Sequence, residues 1–316
     1  MVPIRFFCSR RLGATLLGTL LVTGACERTP PEARPGVTST SASTTTSTTA
    51  PSTTTTTAPD PQVPIAGFVA FGDFGGGPGQ RPVAQAMLRW AASHRVDALV
   101  TTGDNVYNVG SPSLFGVQLR DPYVELRAPG RPLWVTLGNH DVVTGHGSEQ
   151  LAYLGLPELP YAQALPGVRL LFLDANRPDA AQAAWLERQL TEPGPLFSVA
   201  VFHQPVHSCG PHGPTLGVVA RWAPVFEAHR VALVLTGHDH DYFRFVSGNG
   251  VTYVVTGGGG NGLYPIRPGC APPELRASAV RYHFTAVEVF IDRLMVTAVA
   301  DDGTVLDRAE IRVPVA

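Results

Sequence analysis

Five clusters of metal-competent side chains stand directly after short apolar runs. GFVAF is followed by Gly72-Asp73-Phe74-Gly75, DALVTT by Gly103-Asp104-Asn105-Val106-Tyr107, and LWVTL by Gly138-Asn139-His140-Asp141. FSVAVF runs straight into His203, and VALVLT into Gly237-His238-Asp239-His240. Carboxylate, phenol, carboxamide and imidazole groups form a mixed oxygen and nitrogen donor set suited to hard and borderline metal ions. Each cluster alone has a plainer reading. Asp or Asn after a strand is most often a turn former or a helix N-cap, and a single histidine there is usually a hydrogen-bonded packing residue. The His238/His240 pair is stronger, because alternate residues can face one ion. Five such clusters in one chain outweigh five coincidental turns. The glycines ahead of Asp73, Asp104, Asn139 and His238 permit sharp turns and close backbone approach.

For the clusters to meet, the strands that carry them must end on one rim. Apolar runs at 67–71, 97–102, 133–137, 169–174, 197–202, 231–236 and 252–256 read as strands. Segments 79–94, 178–190 and 217–230 carry apolar residues at helical spacing. Near-continuous apolar strands separated by helices indicate βαβ crossovers and strands buried on both faces. Residues 282–313 alternate and turn at Asp302-Gly303, as antiparallel closing strands do. The expected architecture is one α/β domain over residues 64–316. In such sheets the loops at the carboxyl ends of parallel strands gather into a single crevice.

The remaining composition bounds the setting. A formal charge of −2 carries no basic excess, so nucleic acid is not expected as a partner. Residues 1–26 combine a basic leader, a short apolar stretch and Gly24-Ala25 before Cys26, which reads as a signal peptide. Small residues before Cys26 resemble a lipobox, with an ordinary signal as the alternative, so any membrane contact would run through a lipid anchor there. Ser9-Arg10-Arg11 also resembles a twin-arginine signal. Residues 27–63, rich in Ser, Thr and Pro, cannot bury enough apolar surface to offset their ordering entropy and read as a disordered linker. The chain is expected to be exported, either to the cell envelope or beyond it. Cys209 and Cys270 then remain, and an oxidising compartment makes a disulfide between them the default reading. Oligomeric state is not legible.

The ordered set D-x-G, G-D-x-x-Y, G-N-H-D, H and G-H-x-H resembles the calcineurin-like metallophosphoesterases, and within them the short, single-domain purple acid phosphatases. The resemblance spans residues 66–300 and implies a four-layer α/β/β/α sandwich of two mixed β-sheets flanked by helices. It implies two metal ions. Asp73, Asp104, Tyr107 and His240 would hold the first, with Fe(III) at the tyrosine, and Asp104, Asn139, His203 and His238 the second, Zn, Mn or Fe. Most of the superfamily has a ligating histidine where this chain has Gly75, and Tyr107 stands where purple acid phosphatases supply the replacement. A phenolate is a hard anionic donor whose pKa a trivalent cation lowers. The implied reaction is hydrolysis of a small phosphomonoester by hydroxide generated at the metals, at mildly acidic pH. His140 would protonate the leaving alkoxide, with Asp141 supporting it, and His212 would belong to the substrate loop. Alternatives are a phosphodiesterase or nucleotide hydrolase on the same site, or a non-catalytic cell-surface binding protein that keeps the fold.

Weaker signals surround these. Asn105 and Asn108 are candidates for substrate contact, and His207 for loop packing. His94, His146, His229 and His283 default to surface or packing roles. TGGGGNG at 256–262 lacks the GK[ST] of a P-loop and reads as a flexible loop rimming the cleft.

Overall fold

The computed structural model describes residues 60–128 and 130–312. The segment read as a signal peptide and nearly all of that read as a linker lie outside them. Thirteen strands occur among the described residues, numbered here in chain order: β1 (Ala66–Phe71), β2 (Ala98–Thr101), β3 (Leu133–Val135), β4 (Tyr161–Leu165), β5 (Val168–Phe172), β6 (Phe197–Val201), β7 (Leu233–Thr236), β8 (Tyr242–Val246), β9 (Thr252–Thr256), β10 (Leu275–Ala279), β11 (His283–Val289), β12 (Arg293–Ala300) and β13 (Val305–Arg312). They form two mixed sheets, ordered β13-β12-β11-β1-β2-β3 and β10-β8-β9-β7-β6-β5-β4. β1, β2 and β3 are parallel, as are β5, β6, β7 and β9, and the remaining pairings are antiparallel.

The period-2 geometry of each strand explains the layering. Phe68 and Ala70 point from β1 into a core shared with Val199, Val201, Leu233 and Leu235 of the second sheet. Val69 and Phe71 point the other way, onto Val83 and Met87 of α1 (Gln80–Ala91). On the far side, Ala200, Phe202 and Val234 meet Leu186, Trp222 and Phe226. Two sheets back to back with helices outside give the four-layer arrangement expected from the sequence. Because both faces of the central strands are covered, they are apolar throughout.

The departures have local causes. The helix expected over 217–230 is two, Leu216–Arg221 and Ala223–Ala228. Pro224 has no N–H to continue the first helix, so the chain turns at Trp222. β4, β8 and β10 are additional strands. β4 and β10 alternate more and less exposed positions, with Ala162 and Ala164 outward in β4 and Arg276 and Ser278 outward in β10, so neither reads as a continuous apolar run. Cys209 and Cys270 form the expected disulfide across 61 residues, with Cα atoms 5.7 Å apart.

His283 is fully buried, so of its two default roles the structure selects packing. It sits against Gly258, with one ring nitrogen 2.9 Å from the Arg281 carbonyl and the other 3.1 Å from the Thr256 hydroxyl. Burial lowers its pKa from 6.5 to about 4, partly opposed by the Arg281 carbonyl.

Two expectations follow from these contacts. Replacing both Cys209 and Cys270 with serine should cost about 2–4 kcal/mol in chemical denaturation, since a long loop loses its closure. The unreduced protein should show no free thiol at these positions by mass spectrometry. His283 stays neutral in the fold while the unfolded chain takes up a proton near 6.5, so its contribution to stability declines as pH falls from 6.5 towards 4. Denaturation midpoints across that window should fall less steeply in His283→Gln, the difference reaching about 3 kcal/mol.

Candidate metal centre

The five clusters converge because three strands of one sheet and two of the other end at the same rim. Asp73, Asp104 and His238 each adopt a positive φ, 57°, 50° and 73°. A side chain in that region costs about 1–2 kcal/mol, and surrounding bonds hold each one there. Asp73 N donates to the Gly103 carbonyl at 3.0 Å, and His140 N donates to Asp104 Oδ1 at 2.8 Å. His238 N donates to Asp73 Oδ2 at 2.9 Å. The glycines before these residues are close-approach positions. A Cβ on Gly138 would lie 2.1 Å from Asp104 Oδ1, and one on Gly237 2.3 Å from Asp73 Oδ2.

One half of the centre forms around the Tyr107 hydroxyl. It lies 3.0 Å from Asp104 Oδ2, 3.4 Å from Asp73 Oδ1 and 3.1 Å from His240 Nε2. His240 donates through Nδ1 to the Gly262 carbonyl at 2.6 Å, which leaves Nε2 facing inward. Position 75 has no room for a donor: a Cβ there would meet the Asn105 carbonyl oxygen at 2.4 Å.

The other half forms around His203 Nε2. It lies 3.2 Å from Asp104 Oδ2, 3.1 Å from Asn139 Oδ1 and 3.3 Å from His238 Nδ1. His203 donates through Nδ1 to the Thr102 carbonyl at 2.9 Å. Asp104 Oδ2 therefore borders both halves. Asp73, Asp104 and His203 present donor atoms within 4.8 Å of one another.

The charges show what this set lacks. Burial pushes the Asp73 carboxyl well above its usual range, with His203 opposing and Asp104 adding to the rise. Burial acts the same way on Asp104, but the His203 charge and hydrogen bond outweigh it, so that carboxyl falls below its usual range. His203 is pushed up to about 9: burial opposes its charge and the two carboxylates overcome it. Tyr107 is raised far above the ordinary phenol value by burial and then by Asp73 and Asp104. Burial and His203 hold His238 low, and burial brings His240 down to about 4. Among the described residues no arginine pairs with Asp73 or Asp104. Two buried carboxylates, a phenol, the imidazoles of His238 and His240 held neutral and a His203 that keeps its proton fit cations that would replace that proton, and would favour the phenolate.

His140 sits at the edge of the centre. Its Nδ1 donates to the Asn108 carbonyl at 2.6 Å, and its Nε2 is 4.0 Å from Asp104 Oδ2. Asp141 does not support the His140 ring. Its buried carboxylate accepts from the backbone of Asn105, Val106 and Gly138, and from the side chains of Asn105 and Gln150. It braces the two loops that carry Asp104 and Asn139. Asn105 is buried in that brace rather than free for substrate. His212 stands outside the donor set, its ring 4.3 Å from that of His238.

The glycine-rich segment is not a flexible rim. Gly257 to Gly260 are buried, Gly259 N donates to the Gly72 carbonyl at 2.9 Å, and Asn261 N to the Asp73 carbonyl at 2.8 Å. A Cβ on Gly257 would lie 2.1 Å from the Asp239 carbonyl oxygen. These glycines allow a strap to press against the backbone under Asp73. Two residues carry no sequence signal of their own. Asp239 accepts from His212 N at 2.9 Å, from Gly213 N at 3.2 Å and from the Ser208 hydroxyl, so it clips the 208–213 loop to the His238/His240 segment. Its place between two histidines was the only hint. Tyr264 stacks on His240 with ring centroids 4.0 Å apart.

A sandwich of two mixed sheets with an Asp/His/Tyr/Asn cluster at its strand ends is the arrangement of a two-metal phosphoesterase. Residues 67–242, more than half of the chain, match the family described as Calcineurin-like phosphoesterase, and the chain belongs to that family. It is accordingly a metal-dependent phosphoric ester hydrolase. Tartrate-resistant acid phosphatase type 5 of Sus scrofa is 26% identical, with 78% of this chain and 87% of that protein covered. The Mus musculus protein of the same name is 28% identical, with 62% and 73% covered. A purple acid phosphatase isolated from yellow lupin (Lupinus luteus) seeds shares the fold with a TM-score of 0.71, at 17% identity over 80% of this chain and 54% of that one. So does GAP50, described as the anchor in the inner membrane complex of Plasmodium, with a TM-score of 0.66 at 17% identity over 79% and 89%. At that identity these two structures establish the fold alone.

The brace makes a measurable claim. Asp141→Asn replaces a buried carboxylate acceptor by an amide that also carries donors, and should destabilise the protein by about 2–4 kcal/mol. Metal content per chain, measured after dialysis, should fall as well, because the loops bearing Asp104 and Asn139 lose their common anchor.

Proposed function

We propose that this chain is an exported phosphatase of the purple acid phosphatase type, acting on small phosphomonoesters. The observation that carries the reading is the Tyr107 hydroxyl, set within 3.4 Å of Asp73, Asp104 and His240 beside a position 75 that admits no side chain. In this reading Asp73, Asp104, Tyr107 and His240 hold Fe(III), and Asp104, Asn139, His203 and His238 hold zinc, manganese or iron. When bound, such a pair supplies an activated water nucleophile and neutralises the phosphate oxygens.

The protein's own groups do the rest. The Asn108 carbonyl fixes the proton on His140 Nδ1, so Nε2 faces the centre and, when protonated, can deliver a proton to the departing oxygen. Asp104 reaches both halves and sets their spacing, and His212 contacts the phosphate or its ester group from the outer edge. Export is supported by the disulfide, which persists in oxidising compartments, together with the leader and linker read from the sequence. That the relatives are named acid phosphatases supports the phosphatase reading. A non-catalytic binding role has one observation on its side, the fold shared with the Plasmodium protein described as an anchor. The intact donor set and His140 weigh against it.

Elemental analysis and a visible spectrum of protein from an iron-supplied culture test this reading. Iron and a second metal, with a tyrosinate-to-iron band that vanishes in Tyr107→Phe, are expected. Rates on p-nitrophenyl phosphate should exceed those on its bis ester. Metal-loaded protein with no turnover of either ester would overturn the assignment, and a colourless, zinc-only active enzyme would remove the iron.

A further inference from the structure

The mouth of the centre is built from a second layer of rings. His212 lies over His238, centroids 4.3 Å apart with 30° between planes. Tyr264 stacks on His240 at 4.0 Å and 11°. The two outer rings meet edge to face, 5.5 Å apart at 65°. Exposure rises outward: His240 is buried and His238 partly so, whereas Tyr264 is half-buried and His212 exposed. A molecule approaching the donors from this side meets an aromatic ledge before it meets the ligands.

The ledge is ordered before anything binds. Tyr264 N donates to the His240 carbonyl at 3.2 Å, and the Gly262 carbonyl accepts from the His240 ring. Asp239 holds His212 N and Gly213 N, and the Cys209–Cys270 disulfide ties the same loop to the segment following Tyr264. A planar group set against rings already fixed in place loses little further protein freedom on binding. Edge-to-face and offset contacts with such rings are favourable beyond the area they cover. A flexible alkyl group gains only the area.

We propose that Tyr264, with His212 beside it, is the surface that recognises the ester group, and that it selects phosphomonoesters of planar aromatic alcohols over alkyl ones. The proposal rests on the hydrolytic reading above, and binding experiments separate the two. Phenylphosphonate and cyclohexylphosphonate, which cannot be hydrolysed and present similar apolar area, serve as probes of the metal-loaded full chain by calorimetry. Wild type should prefer the phenyl compound about fivefold or more, the size of one aromatic pair. Tyr264→Ala should erase that preference, Tyr264→Leu should erase it while keeping apolar bulk, and Tyr264→Phe should retain it. The ratio of kcat/KM for phenyl phosphate to that for glycerol phosphate should drop by the same factor in the Ala and Leu variants. Equal affinity of wild type for the two phosphonates, or an unchanged preference in the Leu variant, overturns the proposal. Selective phosphonate binding without turnover of any ester refutes the hydrolytic reading and leaves the recognition surface standing.

Discussion

Two carboxylates buried side by side are the constraint around which this molecule is organised. Among the described residues Asp73 and Asp104 have no arginine partner and are ringed by a phenol and three imidazoles. Left to itself, such a cluster shares a proton, which His203 carries. Like charges at this separation in a dry interior cost several kcal/mol unless neutralised. The fold therefore stores an electrostatic demand that cations meet, and the demand is directional because Asp104 Oδ2 faces both halves.

Holding that demand in place takes backbone strain and a way to contain it. Three donor residues sit in the left-handed region, and each is pinned by a hydrogen bond to another donor loop. The Asp73 loop is held by the His238 amide, the Asp104 loop by the His140 amide, and both halves of that second contact by Asp141. Glycines at positions 138, 237 and 257 let these loops approach within reach of one another, since any Cβ there would overlap a neighbour.

Much of this was legible because the information is local. β1, β2, β6 and β7 are apolar runs covered on both faces, and a run that stops at a glycine and a donor marks a strand end at the rim. The pairing of Gly75 with Tyr107 became readable as a complementary absence and presence only through the resemblance to the purple acid phosphatases. What escaped the sequence depends on partners far along the chain. Asp141 reads as an assistant to its neighbour His140, yet its acceptors are used by Asn105, Val106 and Gln150. A run of glycines suggests freedom, yet here Gly257 to Gly260 are fixed by what they touch. Tyr264 has no motif, because its role depends on lying over a histidine 24 positions earlier. β4 and β10 alternate in exposure and so resemble loops until a neighbouring strand supplies their ladder.

The carboxylate of Asp239 gives this architecture a mechanical character. It belongs to the very turn that presents His238 and His240, yet it grips the loop forming the outer lip. Lip and donor turn are consequently one stiff body. Widening the entrance to admit a bulkier ester would drag the metal-facing imidazoles with it. A scaffold coupled this way resists gradual enlargement, and broader substrate tolerance would first require that single clasp to be undone.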